Sequence, residues 1–141
     1  MAIVYFDSSA FVKLVVEEEG SAIAALLWDG CDAAVSSRLA YPEVRAALAA
    51  AGRAHRFEAD GQLQAEAAWE GYWDAVRPVE ITETITTHAG QLAGKLALRG
   101  ADAVHLASAL AVGAEDTLFA AWDQRLRGGA AQTVLQVVPA H

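Results

Sequence analysis

Apolar residues are distributed along this chain in two alternating ways. Short runs in which apolar and aromatic side chains predominate, beginning with IVYF at residues 3–6, are separated by longer alanine-rich stretches with apolar positions at helical spacing. Runs of the first kind predict strands at residues 3–7, 33–37, 77–81, 117–121 and 133–138. Stretches of the second kind predict helices at residues 9–16, 21–28, 40–53, 61–75, 87–99 and 102–112. Strands that alternate with helices read as βα units. The pattern therefore predicts an α/β fold: one domain spanning residues 1–141, in three layers, with a central, mainly parallel five-stranded sheet flanked by helices.

The punctuation agrees with this layout. ADGQ and RGAD read as breaks between helices, and RGGAAQ as a loop before the last strand. Pro42 fits the first turn of the third helix, where its missing N–H removes no hydrogen bond. Trp69, Tyr72 and Trp73 recur at helical spacing, a stripe that reads as core or dimer interface because such rings bury large apolar area. No internal repeat is present.

Length and composition narrow the class. A chain of 141 residues can bury about two thirds of its unfolded surface. Cys31 is the only cysteine, which excludes a disulfide framework and a cysteine-based zinc site and suits a reducing cytoplasm. The first apolar run stops at Asp7 and lacks a basic front, so it reads as neither a secretory signal nor a membrane span. The expectation is a cytoplasmic protein without a membrane partner.

A net charge of −8 argues against a generic nucleic-acid binder, which relies on Lys and Arg to neutralise phosphates. The charge is unevenly spread. Residues 38–56 carry Arg38, Arg45, Arg53 and Arg56 against the single acid Glu43, while the segments before and after are acidic. That stretch reads either as a solvated helix face or as a docking surface for an anionic partner.

Candidate chemistry begins at Asp7, where MAIVYFDSSAFVKL turns from strand to helix. Asp7 caps the helix that follows, or it points into a cleft at the carboxyl edge of a parallel sheet, where open α/β proteins bind ligands. Three further acids fall near strand ends or helix starts: Glu43 in RLAYPEVRAAL, Asp102 in RGADAVHLASAL and Asp123 in TLFAAWDQRL. Each is separately explicable as a favourable charge in a first helical turn. All four nevertheless sit beside apolar residues rather than in an ordinary charged surface. Carboxylates within about 4 Å of each other repel by roughly 4 kcal/mol per pair at an effective dielectric near 20, so such a cluster calls for a cation. Carboxylate oxygens suit Mg²⁺ or Mn²⁺, and the chemistry these ions support at a phosphoryl group is phosphodiester hydrolysis.

The ordered set YFDSSAFVKL, SSRLAYPEV, GADAVHLASAL and FAAWDQRL closely resembles PIN-domain ribonucleases, in particular VapC-type toxins of bacterial toxin–antitoxin pairs, over nearly the whole chain. The resemblance implies a catalytic pocket of Asp7, Glu43, Asp102 and Asp123, with Asp7, Asp102 and Asp123 as metal ligands and Ser9 in support. It implies a PIN-like fold, Mg²⁺ as cofactor with Mn²⁺ able to substitute, an RNA substrate, a cognate antitoxin and a homodimer. One departure concerns Asp123: family members often carry Thr or Ser two residues before the last acid, where this chain has Ala121.

Other residues carry lesser expectations. His105, three positions after Asp102 on the same helix face, reads as a core histidine, with a hydrogen bond to a pocket acid as the alternative. Arg38, Arg45, Arg53, Arg56 and Arg125 are candidate contacts to RNA or antitoxin, and Arg127 shares the reading given to Arg125. Lys13 reads as a solvated or salt-bridged side chain, Asp116 as a loop acid facing solvent, and His55, His88 and His141 as scattered positions without zinc spacing. Two alternative functions keep the same acids. A receiver-like phosphoacceptor would want a lysine near the end of a late strand, yet the chain's lysines are Lys13 and Lys95. A non-catalytic binding module would use the acids to capture a partner's arginines.

Overall fold

The structure, a computed structural model, describes residues 2–113, 115 and 117–140; Asp116 and His141 lie outside the described residues. In chain order the elements are β1 (Ile3–Phe6), α1 (Ser8–Val15), α2 (Ser21–Gly30), β2 (Ala33–Ser37), α3 (Ala40–Arg53), α4 (Gly61–Asp74), β3 (Arg77–Val79), α5 (Glu83–Leu96), α6 (Gly100–Val112), β4 (Thr117–Ala120), α7 (Gln124–Ala130) and β5 (Gln136–Val138).

The five strands form one sheet in the order β3-β2-β1-β4-β5, and every pairing is parallel. Parallel strands need crossover helices, and these cover both faces, which is why the strands read as nearly unbroken apolar runs. Alternation along β1 assigns the faces: Val4 and Phe6 pack into a core with Phe11, Leu48 and Trp69 from α1, α3 and α4. Tyr5 packs on the opposite side with Ile85, Leu92, Leu106 and Leu126 from α5, α6 and α7. The aromatic stripe of α4 divides between roles, with Trp69 fully buried and Tyr72 and Trp73 packed at the edge of the same core.

Two helices depart from the sequence expectation. Helix α5 begins at Glu83, because the Thr82 hydroxyl accepts the Ile85 N–H at 3.2 Å as an N-cap; the threonine-rich start ITETITT disguises this turn, since β-branched residues weaken a helical reading. Helix α7 occupies a stretch read as loop. Gly128 and Gly129 disfavour helix there, but Asp123 caps it and Arg127 ties it down through the carbonyls of Ala121 at 2.7 Å and Pro139 at 2.6 Å.

The position of β1 decides where a site forms. The chain leaves β1 toward β2 and β3 on one side and returns as β4 and β5 on the other, so the carboxyl ends of β1 and β4 lie at a topological switch point. The Asp7 N–H donates to the Ala120 carbonyl at 3.1 Å, holding those two ends together.

Candidate active site

Asp7 follows β1 directly and is buried, 4% exposed. Its Oδ1 accepts the Ala10 N–H at 2.9 Å and the Ser9 hydroxyl at 2.7 Å, so the residue is an N-cap of α1. Oδ2 takes no hydrogen bond among the described residues. Burial pushes the Asp7 carboxyl up to about 6, against the pull of His105, Ser9 and the Ala10 N–H and with repulsion from Glu43 added. The cap reading of Asp7 therefore holds, and it occupies one oxygen while the other is left over.

The same division recurs at two more acids. Glu43, in the first turn of α3, accepts the Ser8 hydroxyl at 2.5 Å and lies 2.6 Å from His105 Nε2, all through Oε1. Burial works to raise its carboxyl, but His105, Ser8 and Arg99 outweigh burial and hold it below the ordinary glutamate range. Asp102, in the first turn of α6, uses Oδ2 to accept Arg99 Nε at 2.9 Å. Oε2 of Glu43 and Oδ1 of Asp102 remain without a hydrogen bond among the described residues.

Asp123 differs. Its Oδ1 caps α7 through the Leu126 N–H at 3.0 Å, and its Oδ2 faces Arg99 Nη2 at 3.4 Å. Arg99 thus bridges Asp102 and Asp123 and supplies the positive charge that two neighbouring carboxylates require. Among the described residues no three His, Cys, Asp or Glu side chains stand close enough together to hold a metal ion with the side chains as placed. The donor chemistry fits a hard cation, since three acids each keep one oxygen back, and Arg99 is the group such an ion would meet.

Ser9 does more than support Asp7. Its hydroxyl donates to Asp7 Oδ1 and accepts the Trp122 N–H at 3.0 Å, so it ties the end of β1 to the segment that carries Asp123. Ala121 is fully buried and offers no hydroxyl, and at this edge the bridging hydroxyl is that of Ser9.

The remaining candidates lie in different surroundings. Lys13 pairs with Glu18 at 3.3 Å and lies over the Trp122 ring, with Gly20 close beside both at φ 93, where a Cβ would come within 2.8 Å of Trp122 Nε1. Three of the four arginines of the positive stretch are already paired: Arg38 with Glu80 at 2.5 Å, Arg45 with Glu70 at 3.1 Å, and Arg56 with Glu18 at 3.3 Å. Arg53 and Arg125 are both exposed. The residues that sequence reasoning passed over are Ser8 and Arg99. Each stood beside a named acid, but nothing in a one-dimensional spacing shows that Ser8 serves Glu43, 35 positions away, or that Arg99 reaches Asp123, 24 positions away.

Known proteins resemble this chain in sequence and in fold. Residues 4–128 match the family model described as PIN domain, which takes in all four acids. The chain belongs to the PIN-domain family. Two relatives from Mycobacterium tuberculosis, Ribonuclease VapC45 (strain CDC 1551 / Oshkosh) and Ribonuclease VapC49 (strain ATCC 25618 / H37Rv), are each 61% identical over 140 residues, covering 99% of this chain and 97% of the relative. The solved structure of VapBC2 from Rickettsia felis, bound to a DNA fragment from its promoter, superposes with a TM-score of 0.66 over 96% of both chains. At 12% identity that likeness concerns the fold alone. In this PIN domain the acids occupy the carboxyl ends of β1 and β4 and the first turns of α3 and α6.

Proposed function

We propose that this PIN-domain protein is an endoribonuclease that hydrolyses RNA phosphodiester bonds with water as nucleophile, and that it acts as the toxin of a toxin–antitoxin pair. The observation that carries the catalytic part is the shared economy of Asp7, Glu43 and Asp102, each of which spends one carboxylate oxygen on the protein and keeps the other free. The ribonuclease relatives at 61% identity support the same reading.

Asp7, Asp102 and Asp123 would hold Mg²⁺, or Mn²⁺ in its place, and Glu43 completes the catalytic set. When bound, a divalent ion lowers the pKa of a water and offsets charge developing on a phosphoryl oxygen. The protein contributes the rest. Ser9 and the α1 N-terminus fix Asp7, and Ser8 with His105 fixes Glu43. Release of Arg99 from Asp102 and Asp123 would place a guanidinium beside the substrate phosphate, a group it matches in charge and hydrogen-bonding geometry. Arg53 and Arg125, with Arg38, Arg45 and Arg56 at their ion pairs, are the proposed contacts to RNA or antitoxin. A homodimer with a bound antitoxin completes the proposal; exposed Leu26 on α2 and Leu63 on α4 are apolar positions for a protein partner to cover.

The test is cleavage of cellular RNA by purified protein, with 5′ ends read by sequencing, in Mg²⁺, in Mn²⁺ and in EDTA. Discrete cuts in either metal, none in EDTA, and products free of 2′,3′-cyclic phosphate are expected. Full cleavage in excess chelator would remove the metal from the mechanism, and cyclic-phosphate ends would remove water as the nucleophile.

A further inference from the structure

A buried chain of hydrogen bonds runs from the backbone of β2 to the carboxylate of Glu43. The Ser37 N–H donates to the Tyr5 hydroxyl oxygen at 3.0 Å. That hydroxyl lies 2.8 Å from Nδ1 of His105, and His105 Nε2 lies 2.6 Å from Glu43 Oε1. Tyr5 is fully buried and His105 is 2% exposed.

The direction of each bond follows from the donors. A carboxylate only accepts, so His105 Nε2 carries the hydrogen and gives it to Glu43 Oε1. In the neutral ring Nδ1 then has no hydrogen and accepts the Tyr5 O–H, whose oxygen also accepts the Ser37 N–H. Ser8 gives its hydroxyl proton to the same oxygen, which leaves Oε2 turned away from both donors. Stacking holds the chain's origin in place: the Tyr5 ring lies 5.3 Å from that of Phe119 at 11°, and meets the His105 ring edge-on at 5.9 Å.

Glu43 needs this help. It is a long side chain on the first turn of α3, its side chain is 30% exposed, and the neighbouring Pro42 and Arg45 face solvent. Left alone it would spread over several rotamers, because glutamate is among the side chains with the most rotamer freedom to lose. We infer that Tyr5 and His105 are positioning residues of the nuclease site: Tyr5 fixes the Nε2–H tautomer of His105, and His105 with Ser8 fixes which Glu43 oxygen faces the reacting phosphate. The inference rests on Glu43 being catalytic, as proposed above. It also assigns a use to the histidine of ADAVHLA that is more specific than filling the core. His105 is buried like a core residue and reaches the site from within the fold.

The experiment uses the full chain and three variants, Tyr5→Phe, His105→Gln and His105→Asn. A glutamine amide can stand at the place of Nε2 and donate to Glu43, whereas asparagine reaches only the place of Nδ1. Ring ¹⁵N NMR of the wild type, with His105 assigned by its loss in His105→Gln, should show the Nε2–H tautomer, and Tyr5→Phe should weaken that preference. In RNA cleavage, kcat should fall about 10- to 100-fold in His105→Asn with little change in KM. His105→Gln should recover most of the loss, and Tyr5→Phe should lie between. An Nδ1–H tautomer in the wild type would overturn the inference, as would equal kcat losses in the glutamine and asparagine variants, or variants that melt earlier yet cleave as the wild type does. If His105→Asn does not fold, Tyr5→Phe and the wild-type tautomer decide. A wild type that cleaves no RNA would defeat the functional reading itself, and the tautomer measurement would still stand as a separate result.

Discussion

Asp7 caps helix α1 by accepting the Ala10 N–H at 2.9 Å, and it does so with Oδ1 alone. Asparagine is about as good an N-cap as aspartate, so Asp7→Asn separates the helix role from the charge. Without metal, the variant should be as stable as the wild type or more so, because it removes a buried charge that Glu43 repels. RNA cleavage should fall by roughly a hundredfold or more, as for loss of a group that stabilises transition-state charge. Asp102→Asn should behave similarly, and the double variant should lose little beyond either single one, since residues that act as a unit are not additive. Metal-free melting and Mg²⁺-supported cleavage check these outcomes; near-normal cleavage by Asp7→Asn would reduce Asp7 to a cap.

The metal-free stability should also depend on pH through Asp7. Its carboxyl stands at about 6 in the folded protein against an ordinary 3.8, so the native state holds the proton more tightly than the unfolded chain. Stability from this group is therefore highest below the unfolded value, declines as pH rises from about 4 to 6, and stays reduced above that. Two units correspond to at most about 3 kcal/mol. Glu43 acts with the opposite sign: held below its ordinary 4.5, it contributes above that value and loses its contribution as pH falls. Urea melts in EDTA across this range, wild type against Asp7→Asn, isolate the aspartate; parallel curves would show that burial does not raise its pKa.

Arg99 neutralises Asp102 and Asp123 in the absence of a metal ion. Arg99→Gln should lower the metal-free melting temperature, because two carboxylates lose a shared counter-ion. The upward shift on adding Mg²⁺ should be larger than in the wild type, since the ion no longer displaces a guanidinium. Melting curves with and without MgCl₂ give both numbers, and a smaller Mg²⁺ shift in the variant would show that Arg99 assists rather than opposes the ion.

Arg53 and Arg56 test the positive stretch. Replacing both with alanine should weaken RNA binding and make its dependence on salt shallower, by about 0.7 in the log–log slope for each single-strand phosphate that an arginine no longer neutralises. Because Arg56 already pairs with Glu18 at 3.3 Å, the larger share should come from Arg53. Titrations at several ionic strengths read the slope, and an unchanged one would return these arginines to a solvated helix face.

Along the chain, the sheet and its order of elements were legible because they are local. A strand buried on both faces must be an apolar run and a crossover helix must carry a periodic stripe, so β2 at Ala33–Ser37 and α3 at Ala40–Arg53 have the limits that the pattern predicts. The four acids were legible for a related reason: each sits at an element end, where Asp7, Glu43, Asp102 and Asp123 interrupt apolar surroundings. Helix α7 was not legible. Its two glycines argue for loop, and the carbonyls of Ala121 and Pro139 that anchor Arg127 come from outside the helix.

The working arrangement of the acids belongs to the tertiary structure. Sequence sets the identity of a carboxylate but not which of its two oxygens is consumed, and that choice depends on donors supplied across the fold. Ser8 and Glu43 are 35 positions apart, Tyr5 and His105 are 100, and Ser9 and Trp122 are 113. Arg99 shows the same division: its spacing of three from Asp102 is a local helical relation, whereas its approach to Asp123 exists only because the start of α6 and the end of β4 meet at one edge of the sheet. Local pattern determined the elements because propensity and burial act over neighbouring residues. The roles of the polar side chains were decided by which partners the packed sheet and helices bring within hydrogen-bonding distance.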